Sequence, residues 1–381
     1  MAEKLTSRER ILRTLRGEPV DRVPIHAPIP WSPMWSVRGE EPEWASDPNY
    51  APVRELCDQH CDALIGIAQA GVNRAFPGID EQYIERLPEQ QNGPRRRRTT
   101  IVHTPKGDLR TTDEWEEGIR TSWYPEPLIK DKEDAERFLS IPYEFKPPDL
   151  SGMEEAREKA GERGLTQAHV STPMVCVSRM IHFDQFLEWC AGEFELIDRM
   201  VCAVQERTRD VLDYVMGHGG GPMVWFGGSE QATPPMMSPR LYDALVEKYD
   251  APLFDVVHRH GGLVHVHCHG KISGILDRLV EMGVDALDPV EPPPQGDIEM
   301  GEAKRRVDGN ITLMGNVEFC DLEFAEPDEI ERQVQHAICD GGKKYMMLYP
   351  SATGITDLTE RYRDNAIRYI EAGLKYGTFD A

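Results

Sequence analysis

Eight short apolar runs alternating with helical stretches constrain this chain more than any other feature of its sequence. They lie at residues 22–29, 63–68, 165–171, 222–226, 262–268, 284–288, 311–314 and 344–348. Alternation of this kind builds parallel sheets, because each strand needs a crossover before the next can lie beside it. Eight is the number that closes a barrel, and no GxGxxG loop follows the first run to favour an open doubly wound sheet. The expected fold is α/β, a (β/α)8 TIM barrel with an inserted β-hairpin cap, forming a single domain over residues 1–381.

The insertion is expected over residues 70–150. Within it, 99–112 reads as two strands about a Pro-Lys-Gly-Asp turn. The proline-rich stretch 125–148 reads as a wrapped surface segment carrying a short helix near 132–139. An opening helix should start at Thr6 or Ser7, run through Ile11, Leu12 and Leu15, and stop at Gly17.

Charge excludes one class of partner. Sixty-six acidic residues against 43 basic ones leave a net charge of −23, which opposes binding to a phosphate backbone. The run Arg95–Arg98 is the exception, and it reads as a solvated strand entrance or a partner for local acidic surface. Eight cysteines without a CxxC pair, no apolar leader and no stretch near the ~20 apolar residues of a membrane span lead us to expect a reduced, cytoplasmic, soluble protein.

In a barrel the chemistry gathers at the carboxyl ends of the strands. Here those ends are polar, and the fifth carries His265, His267 and His269 on one strand face. Same-face residues lie ~6.6 Å apart. Two imidazoles at that spacing can lean onto one ion, and zinc bonds His nitrogen at about 2.0–2.1 Å. His267 and His269 are therefore the candidate metal ligands, with His265 a layer deeper as support. Glu230 and Glu291, at the ends of the flanking strands, are candidates for a third ligand or an acid-base group, and Tyr349 could offer a hydroxyl to substrate. Two other readings stay open: a metal-free pocket in which the histidines donate protons or meet an oxyanion, and simple packing. Cys268 alternates to the opposite face, where a buried inert thiol is expected, while His26 and His169 could join the pocket or serve as core residues.

The chain resembles the uroporphyrinogen decarboxylase superfamily, which includes cobalamin-dependent methyltransferases built on the same barrel. The resemblance rests on residues 8–24 (RERILRTLRGEPVDRVP), 104–107 (TPKG), Ser238-Pro239, 283–289 (GVDALDP) and 313–317 (LMGNV). The decarboxylases carry an arginine-rich FRQAGRY-type motif after the first strand, where residues 29–35 here read IPWSPMW with no arginine. The methyltransferases carry HxC after the fifth strand and a cysteine after the eighth as zinc ligands. Here the HxC positions are His267 and His269, and 349–354 (YPSATG) holds no cysteine. A two-imidazole centre is harder than a thiolate-rich one and suits polarising an oxygen substrate or water.

What the resemblance implies is a methyltransferase or demethylase, dependent on a divalent metal such as zinc, that moves a methyl group between a small substrate and a corrinoid. The chain has no DxHxxG corrinoid signature: Asp255, His258 and Gly261 miss its spacing by one residue. The corrinoid is accordingly expected on a partner protein. The alternatives are a decarboxylase-like lyase of a small carboxylic acid, using the same pocket for acid-base work, and a non-catalytic binding barrel.

Overall fold

A computed structural model describes residues 4–34, 45, 47–117, 119, 121–353 and 358–379. Trp35 and Gly354, which end two of the compared motifs, lie outside these residues. The strands are β1 (Ala63–Gln69), β2 (Ile84–Arg86), β3 (Gln90–Asn92), β4 (Arg95–Val102), β5 (Leu109–Glu116) and β6 (Ser122–Glu126), then β7 (Gly164–Ser171), β8 (Met223–Gly227), β9 (Leu263–His267), β10 (Ala286–Asp288), β11 (Thr312–Val317) and β12 (Met346–Pro350).

Seven of them form one curled parallel sheet in the order β1-β7-β8-β9-β10-β11-β12, the arrangement of a TIM-like barrel. Helices pack on its outer face, so the strands are buried on both sides, and β11 is buried at every residue. The first apolar run departs from expectation, since it forms no ladder strand. It touches both sheet edges instead: Leu348 N–H donates to Pro24 O at 2.9 Å, His26 N–H to Leu348 O at 2.9 Å and Asp62 N–H to Ile25 O at 2.7 Å. Pro24 and Pro28 have no N–H to give a ladder, which limits the segment to the single parallel bridge Ile25–Leu348.

The amino ends of the strands are plugged. The helix Ser7–Leu15 begins in a capping box, with Thr6 Oγ accepting from Glu9 N–H and the Glu9 side chain reaching back, and it ends before Gly17 at φ +65°. Its Ile11 and Leu15 pack against Leu165, Met223, Ala286, Met314 and Met347 from inside the sheet. Each such burial contributes roughly 1.5–3 kcal/mol. Beside this plug, buried Asp62 accepts from Arg10 at 2.6 Å and from Arg22 at 2.7 Å, and Arg10 also bonds Asp21 at 2.7 Å. With the amino end filled, room for a ligand is left at the carboxyl ends.

The second sheet runs β2-β4-β5-β6 with β3 also paired to β4. The expected hairpin is its centre, with Thr99 opposite Thr112 and Val102 opposite Leu109. The four arginines face acidic partners across the strands: Arg95–Glu116 at 3.1 Å, Arg96–Glu89 at 3.4 Å, Arg97–Glu114 at 2.6 Å and Arg98–Asp113 at 2.8 Å. They belong to the local surface, as their flanking sequence suggests. All eight cysteines are free, and no helix among the described residues is long and apolar enough to cross a membrane.

Candidate functional site

The site is built where β8, β9, β10 and β11 end. Parallel register sets Gly227 opposite His267, and His267 opposite Asp288. Pairing continues one residue past β9, because Cys268 N–H donates to Asp288 O at 2.8 Å, and this carries His269 out to the mouth. The His267 and His269 rings meet edge to face with centroids 4.6 Å apart.

Asp288 organises the deeper layer. Its buried carboxylate accepts from His267 Nδ1–H at 2.9 Å and makes a close charge contact, 2.6 Å, with His265 Nε2. The other His265 nitrogen meets Gln167 Oε1 at 3.2 Å. Burial alone would push the Asp288 carboxyl up, but the two imidazoles outweigh it and hold Asp288 far below the usual carboxylate range. The same partnership works in reverse on His267, where burial lowers the pKa but Asp288, Glu230 and Glu291 raise it above the ordinary value. Trp225 packs its ring 5.1 Å from His267 and 5.1 Å from His169.

Glu291 does for His269 what Asp288 does for His267. It accepts from His269 Nδ1–H at 2.8 Å and from Gly270 N–H, and these contacts depress its pKa against the cost of burial. Both carboxylates thus engage Nδ1, and among the described residues neither Nε2 has a hydrogen-bond partner.

Glu230 reaches the mouth because Gly228, at φ +119°, turns the chain after β8; a Cβ there would stand 2.5 Å from Val175. Its Oε2 is buried with no hydrogen-bond partner. Glu318, just beyond β11, is a second buried carboxyl: Oε2 accepts from Ser351 Oγ–H at 2.9 Å while Oε1 has no partner. Burial, with Glu291 and Asp321 nearby, pushes Glu318 up to about 7 despite the Ser351 hydrogen bond.

The structure therefore brings His267, His269 and Glu291 together, with Glu230 close enough to bias His267. Tyr349 stands apart from that mouth cluster, stacked on His26 at 4.0 Å, with burial raising its pKa well above 10 so that it stays a neutral phenol. His26 is held neutral by burial, its pKa lowered to about 4, and burial likewise lowers that of His169. Cys268 lies on the opposite side, fully buried, its thiol pushed up by burial. Asp288, Gln167, Trp225 and Ser351 had no role in the sequence reading, although Asp288 ends an apolar run and could have been suspected on that ground.

As donor chemistry the site fits a metal in part. Carboxylate-bonded Nδ1 atoms orient both imidazoles and leave Nε2 for an ion. Among the described residues, however, no three His, Cys, Asp or Glu side chains are gathered to hold one. Two imidazole ligands are on offer, and a third has to come from substrate, water or a movement of Glu230.

A family model described as uroporphyrinogen decarboxylase (URO-D) matches residues 114–352. Among solved structures, a methyltransferase from Methanosarcina mazei is similar over 98% of this chain and 99% of its own, with a TM-score of 0.61 and 16% identity. At that identity the likeness speaks for the fold. A B12-independent methionine synthase from Shewanella sp. W3-18-1, in complex with selenomethionine, aligns over 77% of this chain and 76% of its own at a TM-score of 0.39 and 9% identity. No curated protein sequence matches the chain.

Proposed function

Because the chain belongs to the uroporphyrinogen decarboxylase family, we propose that it is a methyltransferase or demethylase acting on a small substrate, with a divalent metal, zinc by its ligand chemistry, on His267 and His269. The observation that carries this reading is the pair of neighbouring imidazoles, ring centroids 4.6 Å apart, whose Nδ1 atoms are bonded to Asp288 and Glu291 and whose Nε2 atoms have no hydrogen-bond partner among the described residues. When bound, the metal would act as a Lewis acid toward a substrate oxygen or generate hydroxide. The corrinoid, carried by a partner protein, would be the other party to methyl transfer.

The chain's own residues do the rest. Asp288 and Glu291 fix the orientation of the two rings. Buried Glu318, half-protonated near neutrality, can give a proton to a leaving oxygen, and Glu230 can complete the shell or take a proton. Trp225 shields His267 from water. The segment at residues 22–29 completes the barrel as its eighth member, and the second sheet caps the mouth.

A second reading, a carboxy-lyase, is favoured by one feature. A buried carboxyl still half-protonated near neutrality suits delivery of a proton to the carbanion left when CO2 departs. Metal analysis of the purified protein, alongside His267→Ala and His269→Ala, tests the main proposal. The expected result is bound metal in the wild type, lost in both variants together with activity. A metal-free wild type whose turnover survives both substitutions sinks it. Titration with a corrinoid protein then separates the two chemistries: changes in the cobalt absorption bands with a methylated substrate support methyl transfer, and CO2 release without them supports the lyase.

A further inference from the structure

A cavity of about 530 Å³ lies between the second sheet, the segment after β1 and the end of the helix Pro173–Met180, and its walls have the opposite charge to the rest of the molecule. Three arginines line it: Arg74 after β1, Arg98 on β4 and Arg179 at the end of the helix Pro173–Met180. The acidic lining residue is Asp113, and Arg98 already pairs with it at 2.8 Å. Arg74 spends Nε on Ser171 Oγ, at 2.9 Å, which leaves its two terminal nitrogens. Among the described residues Arg179 makes no hydrogen bond or ion pair, and it is exposed. Two guanidiniums therefore stand unneutralised in one concave space of a protein with a net charge of −23. Two such groups sharing one concave space raise the local positive potential and draw an anion toward them.

Phe76, Tyr124, Leu128 and Met180 give the cavity an apolar and aromatic part of its wall. Tyr124 is 43% exposed, an unusual share for so large a ring. Guanidinium forks beside apolar planes suit a carboxylate on a flat hydrocarbon body better than a hydrated inorganic ion.

Position links this cavity to the histidines. Ser171, which holds Arg74, is the last residue of β7; it pairs with Gly227, and Gly227 pairs with His267. Two strand spacings, ~10 Å, thus separate the anchor of Arg74 from the strand carrying His267, so the cavity and the histidines belong to the same end of the parallel sheet.

We propose that this cavity seats the charged end of the substrate, an organic acid with a flat apolar body held by Arg74 and Arg179. The inference rests on the reading above only in taking His267 and His269 as the reacting end; the binding itself does not depend on it.

Fluorine NMR of 4-fluorobenzoate and its uncharged match, 4-fluorobenzamide, tests the proposal on the intact protein. We expect line broadening of the benzoate and not of the benzamide. Arg74→Gln and Arg179→Gln should each weaken benzoate binding about tenfold, the loss of one charge-assisted contact. Arg179 is exposed, so that variant should keep the wild-type melting temperature, and Arg74→Lys tests charge without the fork if Arg74→Gln unfolds. Equal broadening of both probes, or wild-type binding by both variants, overturns the proposal. So does displacement of the benzoate by inorganic phosphate at equal concentration, which would make the cavity a seat for a simple anion. His267→Ala should leave the broadening intact. If binding needs the arginines while turnover survives loss of both histidines, the anion seat stands and the metal-centred function falls.

Discussion

Each imidazole at the mouth is defined by what its Nδ1 touches, and the two shells differ in kind. Asp288 is shared between His265 and His267, so one buried carboxylate sets two rings, whereas Glu291 serves His269 and the Gly270 amide. Glu318 is a buried carboxyl whose titration is pushed up to about 7. Its carboxyl is protonated below about 7 and charged above it. If it is the proton donor, turnover declines as pH rises through about 7, and Glu318→Gln, which stays neutral but cannot give up a proton, lowers the maximal rate ~100-fold and removes that limb. A pH-rate profile of the two proteins reads this directly, and an alkaline limb that persists unchanged in the variant assigns it elsewhere. The histidine run and the two flanking glutamates are legible as strand-end polar residues. The roles of Asp288 and Glu318 are not, because they depend on which residue of the neighbouring strand stands opposite, and register between strands separated by a helix is absent from a single sequence.

Among the elements, the clearest division is between the two ends of the parallel strands. Residues 8–24, which carry much of the family resemblance, turn out to build the amino-end plug: Arg10 and Arg22 converge on Asp62, and Asp21 pairs with Arg10, far from the histidines. That stretch is therefore a folding element. Asp62 also accepts from Ile25 N–H at 3.0 Å, tying the first segment to the plug. Asp62→Ala leaves two guanidiniums and a backbone donor without their shared acceptor, and breaking a buried pair this way costs about 3–5 kcal/mol. The low end is expected, since Arg10 keeps Asp21 and the Leu5 carbonyl. Urea unfolding measures it, and a loss within ~0.5 kcal/mol, as for an ordinary surface change, would mean the cluster contributes nothing net. Seven of the eight apolar runs are ladder strands because short, nearly continuous apolar segments suit a parallel sheet covered on both faces. The exception is explained by Pro24 and Pro28, whose missing donors were visible in the sequence but outweighed there by the count of eight.

For the whole molecule, the charge that argues against nucleic acid also acts on folding. Sixty-six acidic side chains against 43 basic ones leave an excess that local pairing cannot remove. Pairs such as Arg95–Glu116 and Arg98–Asp113, at 3.1 and 2.8 Å, stand at the solvent surface, where each contributes little and loses that contribution as salt rises. The unpaired carboxylates repel one another over longer distances, and it is this repulsion that salt removes as the screening length shrinks from ~30 Å at about 0.01 M to ~10 Å at about 0.1 M. The melting temperature should therefore rise over that range, by roughly 1 °C for each kcal/mol of repulsion relieved in a chain of 381 residues. The same addition of salt should weaken benzoate binding at the arginine-lined cavity, where the attraction is between opposite charges. Opposite responses to one variable, read by calorimetry and fluorine NMR on the same samples, follow only if the cavity is a positive island in an acidic protein. A melting temperature that falls with salt would show instead that the close pairs govern the electrostatics of the fold.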